Sequence, residues 1–192
     1  VRMKILFTIH KPIYSPEAGG TERHCRSLAE NLRDFLVYIL FPLATELVLE
    51  EHTPLGNLVY RFRKPWSDLH LLSSEAGDAI FSRILDEFGI DLVHFQHLMG
   101  FPLSLVKAAK EKGRRIILSC NDFFYICPQY MLLENDKDFC DACTDLERCD
   151  KCLKRQYGYE PGFQAHWRNL CQKIFDVSDL VICASKSALS YY

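Results

Sequence analysis

Short, uninterrupted apolar runs alternate with segments of helical period along this chain, and that alternation constrains its fold more than any other feature. Ile5–Ile9 follows Lys4 as a continuous apolar run, the pattern of a strand covered on both faces. Phe35–Phe41, ended by Pro42, repeats it, as do Asp91–Phe95, Arg115–Cys120 and Leu180–Ala184, while Leu58–Phe62 alternates like a short edge strand. Between these runs, Thr21–Arg33 sets Cys25, Leu28, Ala29 and Leu32 at helical spacing. Leu69–Phe88 carries Leu72, Ala76, Ile80, Ile84 and Phe88 on one stripe and stops at Gly89. Pro102–Lys112 reads as a helix ended by Gly113, and Phe163–Val177 as one that turns Phe163, Trp167, Leu170 and Ile174 inward. Ser185 is placed to cap a last helix. Asn121–Gly162 reads as irregular and cysteine-rich. The alternation predicts a doubly wound α/β domain: a parallel sheet with helices on both faces.

The composition supports such a core. Of 192 residues, 48% are hydrophobic and 25% charged, which excludes a disordered or collagen-like chain. The 23 basic and 25 acidic residues leave a formal charge of -2, so no global field draws the protein to nucleic acid. Only a local patch could support peripheral contact with the inner face of a membrane. The longest apolar run, Phe35–Ala44, contains Pro42 and is far short of the ~20 residues of a membrane span. The opening run breaks at His10-Lys11 without a small-residue cleavage site, which fits a buried first strand rather than a signal peptide. The expected location is cytoplasmic.

Doubly wound sheets bind ligands beyond the carboxyl ends of their strands. Gly19-Gly20, between the first strand and the first helix, suits close backbone approach to a phosphate or sugar at a helix N-terminus. It suits a plain turn and helix start equally well. Neither Gly-x-Gly-x-x-Gly nor Gly-Lys-Ser/Thr occurs, which removes the commonest nucleotide-binding loops. His94 and His97 cannot share a face of one strand. His94 reads as a hydrogen-bonded core residue, and His97, past the strand end, as a residue placed to meet a ligand.

Four of the nine cysteines form one cluster, Cys140-x2-Cys143-x5-Cys149-x2-Cys152. Paired Cys-x2-Cys units can set four thiolates around one tetrahedral Zn2+ at ~2.3 Å. The surrounding loop is rich in Asp and Lys and too poor in apolar residues to build its own core, so a metal would supply folding energy. Redox disulfides and an iron–sulfur cluster are the alternatives to a structural zinc. Cys127, before Pro128, is either a fifth nearby thiol or a packed one.

The residues in order carry a resemblance. Met3-Lys-Ile-Leu-Phe7, the loop Ser15-Pro-Glu-Ala-Gly-Gly-Thr-Glu22 and Leu28-Ala-Glu-Asn-Leu32 resemble the start of a family-4 (group 1) glycosyltransferase. Asp91–Gly100 is similar to that family's fourth-strand segment, Asn121-Asp-Phe-Phe-Tyr-Ile-Cys-Pro128 to its His-Asp-aromatic segment, and Ser178–Ser185 to its closing strand. The resemblance implies the N-terminal, acceptor-side Rossmann-like domain of a GT-B enzyme over residues 1–192, with a cysteine-rich insertion at about 123–160. It implies sugar transfer from a nucleotide-sugar donor to a glycan, lipid or small-molecule acceptor, with retention of configuration and no metal needed for the chemistry. His97 would be the catalytic residue in contact with the reacting sugar or acceptor. Gly19, Gly20, Glu22, Asn121 and Asp122 would bind substrate, and Cys140, Cys143, Cys149 and Cys152 would hold the zinc. Asn121 stands where the family often has histidine. The family's donor-binding motifs belong to a second, C-terminal domain not found in this sequence, so the chain is expected to be inactive alone. A non-catalytic, zinc-stabilised interaction module on the same scaffold is the competing reading. A nicotinamide-dependent oxidoreductase is disfavoured by the missing fingerprint.

Overall fold

The computed structural model describes residues 2–53, 55–134, 137–142 and 144–192. In chain order the elements are β1 (Lys4–Thr8), α1 (Gly20–Asn31), β2 (Leu36–Pro42), β3 (Glu46–His52), β4 (Leu58–Arg63), α2 (Glu75–Glu87), β5 (Leu92–Phe95) and α3 (Leu105–Glu111). There follow β6 (Arg115–Cys120), β7 (Leu133–Glu134), β8 (Asp138–Phe139), α4 (Leu146–Tyr157), α5 (Phe163–Val177), β9 (Leu180–Cys183) and α6 (Lys186–Leu189). Two compact units emerge: residues up to Ser119 with Val177–Ile182, and Cys120–Asp176 with Cys183–Tyr192.

The first unit is built on a seven-stranded sheet in the order β4-β3-β2-β1-β5-β6-β9. β1 pairs in parallel with β2 and β5, and β5 with β6, so the chain reverses its direction of travel across the sheet beside β1. Ile5 and Phe7 of β1 and Ile9 just after it pack with Val37, Ile39 and Cys25, against Leu28 and Ala29 of α1 and Leu32 at its end. Phe7 is the register partner of His94, so Phe95 points to the opposite face, where its ring lies 6.2 Å from that of Phe81 in α2. Helices therefore cover both faces of a mostly parallel, Rossmann-like sheet.

The alternation predicts a parallel sheet, and the observed one is mostly but not wholly parallel. β3 is an additional strand, antiparallel to both β2 and β4, in a segment whose Glu50-Glu51-His52 end hides the short apolar run Leu47–Leu49. The helix expected over Leu69–Phe88 starts only at Glu75, because the carbonyls of Leu69, Leu71 and Leu72 accept from Gly100, Leu103 and Ser104. Ser74 then caps the helix, its hydroxyl accepting from the Gly77 N–H at 3.0 Å. At the far edge, Leu180, Val181 and Ile182 of β9 are exposed.

The second unit is more ordered than its sequence suggests. Asn121–Gly162 contains the β7–β8 hairpin and α4, capped by Asp145, which accepts from the N–H groups of Glu147 and Arg148, and ended by left-handed Gly158. Its core is Trp167 of α5, in edge contact with Phe124 at 5.0 Å and donating from Nε1 to the Phe124 carbonyl at 2.9 Å. Gln164, fully buried, donates to the Ile126 carbonyl at 2.7 Å. No helix among the described residues is long and apolar enough to cross a membrane.

Candidate functional site

The end of β1 and the end of β5 lie side by side, and each is followed by a histidine. His10 comes two residues after β1 and His97 two after β5, with their ring centroids 4.6 Å apart. The backbone fixes them there: the N–H groups of Gln96 and His97 both donate to the Thr8 carbonyl, at 3.0 and 3.2 Å. His97 Nδ1 accepts from the Met99 N–H at 3.0 Å, so the neutral ring carries its proton on Nε2. The side chain is 3% exposed, more enclosed than a residue reaching outward for a ligand.

Glu22 ties this pair to the glycine loop. One carboxylate oxygen accepts from the Gly19 N–H at 2.8 Å, closing the cap of α1, and the other lies 3.0 Å from His10 Nε2. Glu22 is 3% exposed, so this carboxylate serves inside the protein, holding both the loop and the His10 ring. A Cβ on Gly19 would stand 3.1 Å from Glu22 Oε2, whereas one on Gly20 would meet nothing within 4 Å. Gly19 is thus committed to the cap, and Gly20 is the glycine with open space beside it.

The structure therefore brings Gly19, Gly20, Glu22 and His97 into one cluster and adds His10, which the sequence places at the start of the ligand-facing stretch after the first strand but to which it assigns no role. The available signal was its position just after a buried strand. His70 belongs to the same neighbourhood: burial, with His97 nearby, pushes its pKa down to about 4. His94 is a core residue, 2.8 Å from the Ser119 hydroxyl, and burial, aided by His24, lowers its pKa to about 4 as well.

Asn121 and Asp122 belong to the second unit. The Asp122 carboxylate accepts from the Phe124 N–H at 3.0 Å, and its carbonyl accepts from the Tyr192 hydroxyl. In that unit Cys140, Cys149 and Cys152 line one small cavity together with Cys127; Cys143 lies outside the described residues. Burial, with Cys152 and Cys140 nearby, pushes the Cys127 thiol up to about 11. Among the described residues no three His, Cys, Asp or Glu side chains stand as a ready metal-binding group.

A mostly parallel sheet with a helix N-terminus and a histidine–carboxylate cluster at its switch point defines a Rossmann-like ligand-binding domain. A family model described as Glycosyltransferase Family 4 matches residues 18–192, and the chain belongs to that family. Its function is accordingly of the glycosyltransferase type. No curated protein and no solved structure matches the chain.

Proposed function

We propose that this chain is the acceptor-binding half of a retaining glycosyltransferase that moves a sugar from a nucleotide-sugar donor onto a glycan, lipid or small-molecule acceptor. The observation that carries this reading is the convergence of Gly19, Glu22, His10 and His97 at the ends of β1 and β5 in a family-4 chain. Gly20 leaves room for the donor diphosphate or the sugar beside the first turn of α1, where the helix N-terminus favours negative charge. His97, with Nε2–H as donor, would hydrogen-bond the reacting sugar or acceptor once the site closes around it. Asn121 and Asp122 of the second unit would bind substrate, as the family resemblance implies. Most donor contacts would come from a partner domain of the GT-B kind, and one structural zinc in the cysteine-rich unit would order the loops there.

Half a site binds weakly, because few contacts must offset the loss of translational and rotational freedom. Titration calorimetry with UDP-glucose and GDP-mannose should give millimolar or undetectable affinity for this chain. Micromolar binding would place the donor site here and overturn the division of labour. In a complete two-domain enzyme, Gly20→Val should impair transfer by filling the open side of the loop. His97→Ala should lower kcat about tenfold or more by removing a donor near developing charge.

A further inference from the structure

A zinc in the cysteine-rich unit would have a choice of ligands, and the fold offers a different set from the one the spacing suggests. Cys149 and Cys152 stand one turn apart on α4, and Leu153, buried beside them, faces the same cavity. Cys140 follows β8 and is drawn back by its N–H, which donates to the Leu132 carbonyl at 2.6 Å. Cys127 lies far earlier in the chain, in a turn closed by its own N–H to the Phe123 carbonyl at 3.0 Å. The hairpin between them reverses the chain, and all four thiols line a cavity of about 30 Å³. A single water needs roughly 10–15 Å³ by the same measure, so this space suits a small ion.

The wall is built to hold a negative cluster. Four thiolates around a divalent ion carry a net charge of -2, and two guanidinium groups line the same cavity. Arg168 Nη2 is 4.0 Å from Cys149 Sγ while its Nε donates to the Ile126 carbonyl at 3.2 Å. Arg148 is steadied by Glu134, with Nε donating at 2.9 Å. Leu132 and Ala142 flank Cys140 with φ of 52° and 57°, left-handed backbone that non-glycine residues keep only where their surroundings impose it.

We propose that Cys127, Cys140, Cys149 and Cys152 are the four ligands of a thiophilic divalent cation, zinc first, with Cys127 in the place that spacing would give to Cys143. This rests on the zinc reading stated above. Binding draws the four sulfurs inward and releases their protons to solvent, and a closed four-thiolate shell leaves no position for substrate, so the ion is structural.

Two measurements separate the ligand set from the zinc reading itself. The full chain, purified under reducing conditions without chelator and titrated with ZnCl2, should hold about one zinc per chain. A folded chain that takes up none overturns both. Against a chromophoric chelator, C127S, C140S, C149S and C152S should each lose about tenfold or more in zinc affinity, while C143S and C183S keep it. Wild-type affinity in C127S, or lost affinity in C143S, overturns this ligand set and leaves zinc standing. Since C127S can fail to fold, brief alkylation of the unmutated chain with peptide mapping gives a second readout. Cys127 should become about tenfold more reactive once zinc is stripped, and unchanged reactivity overturns its role.

Discussion

His94 and His70 sit neutral in the first unit, each with its pKa lowered to about 4 by burial. In the unfolded chain each titrates near 6.5, so between about pH 6.5 and 4 the unfolded state binds more protons. Their contribution to stability is full above that window and is lost as pH falls through it. From pH 7 to pH 5 the loss is about 2 kcal/mol per histidine. Urea unfolding of His94→Gln should show a smaller drop over that range than the wild type, by about the same 2 kcal/mol. Equal drops would mean that His94 is not held neutral. The two loop glycines separate in a similar way. Gly20→Ala places its methyl in open space, so a melt should show a change between zero and about 1 kcal/mol stabilising. Gly19→Ala presses on the Glu22 carboxylate at 3.1 Å and should lower the melting temperature. Destabilisation by Gly20→Ala would show that this loop is packed, not open.

At the scale of elements, α4 is the clearest case of a helix held by its ends. It carries one fully buried side chain, Leu153, and relies on Asp145 at the N-cap and Gly158 at the C-cap. Asp145→Ala should cost about 1 kcal/mol, read as faster amide exchange across Leu146–Cys149. Exchange unchanged by the variant would show that tertiary packing alone keeps the helix. Both caps stand in the sequence, yet α4 was hidden because its face toward the unit is formed by cysteines rather than by an apolar stripe. The continuous runs of β1, β2, β5 and β6 were legible because strands buried on both sides leave no polar positions to confuse the pattern. β3 was not, since only Leu47–Leu49 of it is buried. The same division holds for the site. Gly19, Gly20 and His97 could be picked out by their places after strands and Glu22 by the family resemblance, but the pairing of His10 with Glu22 and the approach of Cys127 to Cys140 depend on contacts between distant segments. Spacing along the chain does not encode those contacts.

At the scale of the whole molecule, the two margins of the seven-stranded sheet differ in kind. β4 is guarded: Arg61 is bridged to Glu46 at 2.6 Å, and Arg63 adds a second cation to the outermost strand. β9 carries no charge at all, and Leu180, Val181 and Ile182 stand exposed on it. An unguarded apolar edge is a template on which another backbone can add a strand. In solution this predicts attraction between molecules that grows with concentration. Static light scattering of the chain should give a negative second virial coefficient, and Val181→Lys should shift it towards positive values without changing the melt by more than about 0.5 kcal/mol. Scattering that the lysine does not alter would clear β9 of that role. The practical result concerns handling: shelf life, filtration losses and the ceiling on usable concentration would then be set by three side chains far from the glycine loop.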